Sequence, residues 1–314
     1  MKGYIASRVL QSFALIIGVL FIVFIMLHIT GDPVSLMVSR NASPEEIEEL
    51  RHELGFDKPL IIQFLNFLKG AATGDFGMSL RYRQPAMKLI IERLPATIQL
   101  ATVALLFSLI IGVPIGLLGG SNPNTPLDFM ARTTGLIGQT VPSFWLALML
   151  IVVFAVKLRW FPAFGRETVK ILGINFPTKS IVLPAFALSF FTTGQLARFT
   201  RSTVLEVKNE DYISTAYSKG LPRRIIYIRH ILKNAAIPII SIIGVQYSYL
   251  LSGSIYIETI FSWPGLGNLL AEAVFTRDFG LVQATAFFTS VVVVVLHMLT
   301  DIAYGLADPR IRYG

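Results

Sequence analysis

Long apolar blocks, separated by shorter polar and mostly basic stretches, dominate the chain. About 20 mainly apolar residues, rising 1.5 Å each in a helix, suffice to cross the hydrocarbon layer of a bilayer. Six segments reach that length: roughly 9–29, 97–119, 134–156, 181–200, 235–257 and 281–305. The fourth carries Thr192, Thr193, Gln195 and Arg198 in its second half. The first follows Lys2 and Arg8, but its apolar run is longer than a signal-peptide core and no A-x-A cleavage pattern precedes "GDPV", so it reads as an uncleaved anchor.

Six spans put both termini on one side. With the amino terminus inside, the inner segments hold Lys2, Arg8, Arg132, Arg198, Arg201, Lys208, Lys219, Arg223, Arg224, Arg229, Lys233, Arg310 and Arg312, which is 13 of the 27 basic residues. Of the 14 outer ones, 8 lie in the long stretch 30–95, and long translocated segments count little in the positive-inside rule. The comparison is then 13 inside against 6 outside. The pattern predicts an all-α membrane protein with six transmembrane helices and both termini cytoplasmic.

The outer stretch 30–95 carries helix starts and stops of its own. In "SPEEIEELRHELGFD", Ser43 is placed as N-cap and Pro44 at the first helical position, with Ile47, Leu50 and Leu54 on one face. "PLIIQFLNFLKG" follows as a second apolar-faced segment ending at Gly70. These are amphipathic helices packed on the rim of the membrane domain, with a docking surface for an external partner as the other reading. The organisation expected is an anchor helix plus outer subdomain over 1–94, a membrane core over 95–305 with an inner loop at about 201–234, and a cytoplasmic tail over 306–314.

Composition narrows the chemistry. The chain has 314 residues, 54% hydrophobic and 15% charged, with no cysteine and a mean hydropathy of +0.65, which is the profile of a polytopic membrane protein. The net charge of +8 is dispersed between apolar runs rather than gathered on one soluble domain, so it is a topology signal and not a nucleic-acid footprint. No Gly is followed by Lys, which excludes the G-x-x-x-x-G-K-[ST] phosphate cradle. His28, His52, His230 and His297 are far apart with no partner at i, i+4, so no metal site is expected. No G-x-S-x-G elbow or H-E-x-x-H helix supports an enzyme. A stand-alone secondary carrier needs titratable groups near mid-membrane. Only Asp301 in the last span is a candidate, and its place near the inner end favours a helix-end anchor.

Three sets of residues stand out as candidate sites. "DYISTAYSKGLPRR" at 211–224 reads as a short helix with Ile213, Ala216 and Tyr217 on one face and Ser214, Thr215 and Ser218 small and polar around it, beside Tyr212. Gly220 suits the left-handed residue that ends a helix, and Pro222 prevents its resumption. So short a helix needs support from elsewhere, since isolated helices under about 12 residues rarely persist. Arg223 and Arg224 follow, either to pair with an acidic partner or to anchor the loop inside. Gly112, Gly116 and Gly120 recur every fourth residue on one face of the second span, for close helix packing within the chain or at a dimer seam. Glu258, beside Trp263, Pro264, Gly265 and Gly267, serves as an outer gate or caps nearby backbone amides.

The inner loop resembles the EAA loop of ABC-importer permeases. Ser214, Thr215 and Ala216 precede Gly220 at the spacing of that pattern, and the continuation "GLPRRIIYIRHILKNAAIPII" is similar to the dipeptide, oligopeptide and nickel importer subfamily, with Thr215, Ala216, Gly220, Arg229, His230 and Asn234 matching its variant. "GDPV" (31–34), "GDFGMSL" (74–80), "LPATIQLA" (94–101), "GSIYIETIFSWPGLGNLL" (253–270) and the tail "ADPRIRYG" extend the likeness over nearly the whole chain. The resemblance implies a type I importer permease in the cell's inner membrane. Its partners would be a homologous second permease, two ATP-binding subunits carrying ATP and magnesium, and an extracytoplasmic substrate-binding protein; this chain would hold no cofactor. It also implies that the 211–218 helix couples the spans to ATP hydrolysis elsewhere. Peptides are the cargo implied first, with nickel complexes or oligosaccharides as alternatives.

Overall fold

The computed structural model describes residues 2–30, 43–53, 55–171 and 174–307. "GDPV" at 31–34, residues 308–314 of the tail, and the side chains of His28, Leu50, Leu54 and Asp301 lie outside the described set. The helices are α1 (Lys2–Thr30), α2 (Pro44–Glu53), α3 (Leu60–Thr73), α4 (Ala86–Ser121), α5 (Pro126–Thr140), α6 (Ser143–Leu150), α7 (Val182–Lys208), α8 (Asp211–Ser218), α9 (Lys233–Ile260), α10 (Leu266–Phe275) and α11 (Phe279–Ala307). Besides the helices, the described residues form a hairpin of β1 (Thr168–Ile171) and β2 (Ile174–Pro177), antiparallel with Thr168 opposite Pro177, and an isolated bridge between Met78 and Pro85. The all-α reading did not contain the hairpin. Its β-branched residues favour extended backbone, but four-residue strands leave no mark on a span-length hydropathy window.

Helices α1, α4, α7, α9 and α11 are long and apolar enough to cross a bilayer. The predicted third span, 134–156, is not one straight helix: α5 and α6 pass the same test only as a pair, bent by 96°. The break is at Val141–Pro142. A residue before proline is pushed out of the helical region, and Val141 sits at φ −79°, ψ 119°, with Pro142 extended as the cap of α6. Beyond α6 the chain winds more loosely, as a π-helix over Ile151–Lys157.

The chain falls into two compact units, residues 1–96 with 264–295 and residues 97–263 with 296–314. This differs from the division at residue 94 read from sequence, because 264–295 group with the amino-terminal part. In that first unit, Ala86, Leu89 and Ile90 of α4 share a core with Leu266, Leu269 and Ala273 of α10 and Leu281 and Ala284 of α11. Ser43 and Glu46 cap α2 reciprocally, each backbone N–H donating to the other's side chain. Helix α3 continues past Gly70 and stops at Gly74, φ +74°. Gly70 is needed instead where the chain folds back: a Cβ there would lie 2.5 Å from the Asp75 carbonyl oxygen. Phe76 then packs edge-on with Phe67 and tilted against Phe287, and the Ser79 hydroxyl donates to buried Asp278 at 2.6 Å.

The second unit is organised on α7. Gly112, Gly116 and Gly120 of α4 all face it, and a Cβ on them would meet the carbonyl oxygens of Thr193, Ala197 and Arg201 at 2.7, 2.6 and 2.8 Å. On another side Gly138 of α5 meets Gly194, backbone to backbone. The glycine row therefore packs within the chain. Without side chains, backbones approach closely enough for dispersion to hold helices that share an apolar surrounding.

Candidate functional site

Two of the three positions read as one face of α8 point inward. Ile213 and Ala216 are 1% and 6% exposed, and share a core with Val204 of α7, Ile226, Ile231, and Ala235 and Ile239 of α9. Tyr217 does not join them; at 44% exposed it lies outside, as does Tyr212 at 42%. Ala216 and Tyr217 lie to either side of Ile213 on the helix, so a core that approaches from the Ala216 side leaves Tyr217 at the rim of the face. Burying an isoleucine contributes about 1.5–3 kcal/mol, the support that two turns of helix lack by themselves.

The end of α8 is a Schellman cap. Leu221 N–H donates to Ala216 O at 3.3 Å and Gly220 N–H to Tyr217 O at 2.9 Å, while Gly220 takes φ +74°. A Cβ at Gly220 would find nothing within 4 Å, so glycine is required there for backbone conformation rather than for close approach inside the chain. Thr215 and Ser218 turn their hydroxyls back onto the Asp211 and Ser214 carbonyls. The outer surface of α8 is thus small and smooth apart from its two tyrosine rings.

The platform beneath is tied together by polar side chains. Asn234 donates to the Tyr212 hydroxyl at 3.1 Å, Lys208 to the Ser121 carbonyl at 3.1 Å, and Ser121 to the Tyr227 hydroxyl at 2.5 Å. Between α8 and α9 the backbone passes through a π-helical stretch, Ile226–Leu232. Arg223 and Arg224 are exposed and make no ion pair among the described residues.

One charged cluster escaped the sequence reading. Asp128, 1% exposed, is held by Arg201 of α7 and Arg132 one turn along α5, and it accepts Asn124 N–H at 2.9 Å. The spacing D-x-x-x-R at a helix start was visible in sequence, but such pairs are common on solvated helices, and nothing marked Arg201 as the third member.

The set around Glu258 is divided. Glu258 is fully buried and accepts from the Thr97 hydroxyl at 2.8 Å, and Trp263 is buried in the same unit. Pro264, Gly265 and Gly267 belong to the other unit, where Gly265 caps α10 in an extended conformation. His297 is exposed on α11. A second residue missed in sequence is near the same end of α4. Arg166 donates through Nε and Nη2 to the Gln99 side-chain oxygen at 3.1 and 2.8 Å and stands 5.8 Å from the centre of the Trp263 ring. Burial lowers its pKa from the ordinary guanidinium value.

The family model for binding-protein-dependent transport system inner membrane components matches residues 112–313, and the model for its amino-terminal region matches residues 1–101. The chain is 37% identical to the oligopeptide transport system permease protein AppB of Bacillus subtilis, covering all of both chains. It is 35% identical to the dipeptide transport system permease protein DppB of Escherichia coli K12, covering all of this chain and 99% of that one. Among solved structures it is similar in fold to the inward-facing MetNI methionine ABC transporter, with TM-score 0.58 and 15% identity over 71% of this chain and 97% of the other. A second, an amino acid ABC transporter, aligns with TM-score 0.53 and 17% identity over 69% and 93%.

Proposed function

Because the chain belongs to the family of binding-protein-dependent transport system inner membrane components, we propose that it is the membrane permease subunit of an ATP-driven peptide importer. Full-length likeness to dipeptide and oligopeptide permeases supports peptides as cargo. It lines half of the path, and a homologous permease completes it. Two ATPase subunits dock on the cytoplasmic face, and a binding protein delivers cargo outside.

The observation that carries this reading is the construction of α8. Its inner face is fixed to α7 and α9, its outer face is free, and its end is locked by a backbone cap. Such a helix transmits displacement without bending. A docked ATPase that closes on ATP pushes α8, and the buried contacts of Ile213 and Ala216 carry the push into the spans. Tyr212, Ser214, Thr215 and Tyr217 face the ATPase, with Arg223 and Arg224 beside them as free cations for its acidic groups. This chain performs no covalent step.

The test is Gly220→Val in the assembled transporter, in proteoliposomes. A β-branched side chain opposes the left-handed backbone and unlocks the cap. Peptide uptake should fall at least tenfold, with ATP hydrolysis persisting but no longer stimulated by loaded binding protein and with normal membrane insertion. Full uptake by this variant, or uptake by the purified chain alone, overturns the reading.

A further inference from the structure

In the second unit, one end of the membrane domain carries a cation, Arg166, that forms no ion pair among the described residues. Arg166 lies just after Gly165, whose positive φ of +84° turns the loop and whose N–H is pinned to the Phe261 carbonyl at 2.9 Å. The guanidinium spends Nε and one Nη on a neutral amide oxygen, that of Gln99, and sits over the Trp263 ring. Its Nη1 edge donates to no other described residue. Glu167, the next residue in the chain, accepts from the Thr178 hydroxyl at 3.3 Å. An arginine that is half desolvated, held in one orientation by an amide and an aromatic face, and left without an anion is built to receive one. A planar guanidinium edge matches a carboxylate with two parallel hydrogen bonds.

Its surroundings say which way that edge opens. Gln99 and Thr102 are three residues apart on α4 and share a face. Thr102 is exposed, and its hydroxyl shares a 3.0 Å hydrogen bond with the Tyr247 hydroxyl of α9. Next to Tyr247, Gln246 pairs with Gln195 of α7. Polar side chains on a face left uncovered at membrane depth belong on a water-filled path rather than against lipid tails.

We propose that Arg166 is a cargo contact, which receives the terminal carboxylate of a peptide at the entrance to this polar face and hands it on past Thr102 and Tyr247. The proposal rests on the peptide-importer reading above. It requires that the loss of charge at one side chain be felt by peptides with a free carboxyl terminus and not by those without.

The experiment uses the whole transporter in proteoliposomes, with trialanine and trialanine amide as probes. Arg166→Gln should lower trialanine uptake at least tenfold at low concentration and change amide uptake less than twofold, while Arg166→Lys keeps at least a third of wild-type trialanine uptake. Because this chain has no cysteine, Arg166→Cys supplies a second measurement: a cationic thiosulfonate reagent should restore trialanine uptake and an anionic one should not. Where the wild type carries no amide, this charge rescue decides alone. Equal loss for both probes, as loss of a contact to the binding protein or to a lipid phosphate would give, overturns the proposal. So does unchanged trialanine uptake in Arg166→Gln, or equal rescue by both reagents. A wild-type assembly that imports neither probe overturns the peptide reading itself, and this proposal with it, and is recognised because the wild type is the control.

Discussion

Two residues with charged neighbours behave oppositely according to how much water reaches them. Asp128 is 1% exposed and Arg201 19%, whereas Arg132, on the same carboxylate, is 55% exposed. Removing one partner of a buried ion pair leaves the other charge desolvated and costs about 3–5 kcal/mol, while an exposed pair contributes at most about 1 kcal/mol. Asp128→Asn should therefore reduce the unfolding free energy in detergent by several kcal/mol, and Arg132→Gln by much less. Denaturant titration followed by tryptophan fluorescence checks both, and equal shifts for the two variants would refute the assignment. The consequence reaches the proposed function because Arg201 lies on α7 three residues before Val204, which shares a core with Ile213 of α8, the helix proposed to couple transport.

At the scale of elements, glycine decides which helices touch. Gly116 and Gly194 occupy positions where even a methyl group meets backbone, at 2.6 Å from the Ala197 carbonyl oxygen and 2.9 Å from Gly138 Cα, respectively, whereas Gly18 of α1 has nothing within 4 Å. Gly116→Ala and Gly194→Ala should each destabilise the protein by about 1–3 kcal/mol, as overpacking does. Gly18→Ala should be neutral or stabilising by up to about 1 kcal/mol, the helix propensity difference. Thermal midpoints of the three variants test this, and a loss for Gly18→Ala as large as the others would contradict it. The periodicity of Gly112, Gly116 and Gly120 was legible in the sequence because small residues every fourth position can only mean one close face. Which helix fills that face was not, since packing partners are chosen by tertiary contact. The cap at Gly220 was legible for the same local reason. The kink at Pro142 was present in sequence as a proline, but a hydropathy window averages over direction and scored 134–156 as one span. Arg166 was invisible because the role proposed for it rests on its having no carboxylate partner among the described residues, a property of three dimensions.

For the whole molecule, the spans and the distribution of basic residues support a topology that labelling can test. An even number of crossings, counting the bent pair α5–α6 as one, returns the chain to the side on which it began. We propose that this side is the cytoplasm, because Lys and Arg outnumber Asp and Glu in the segment joining α7 to α9 and lie at both ends of the chain. On that proposal α8 would face the compartment where ATP is found and α2 the one where a binding protein would arrive. The absence of cysteine makes the experiment clean, since one introduced thiol gives one signal from this chain. Ser218, at the exposed end of α8, and Glu48, exposed on α2, are the positions to use. An impermeant maleimide should label Ser218→Cys in inverted vesicles and not in intact cells, and Glu48→Cys in cells and not in inverted vesicles. Labelling of both from one side would require an even number of crossings between them, and α8 could not then be the element that couples transport to ATP hydrolysis.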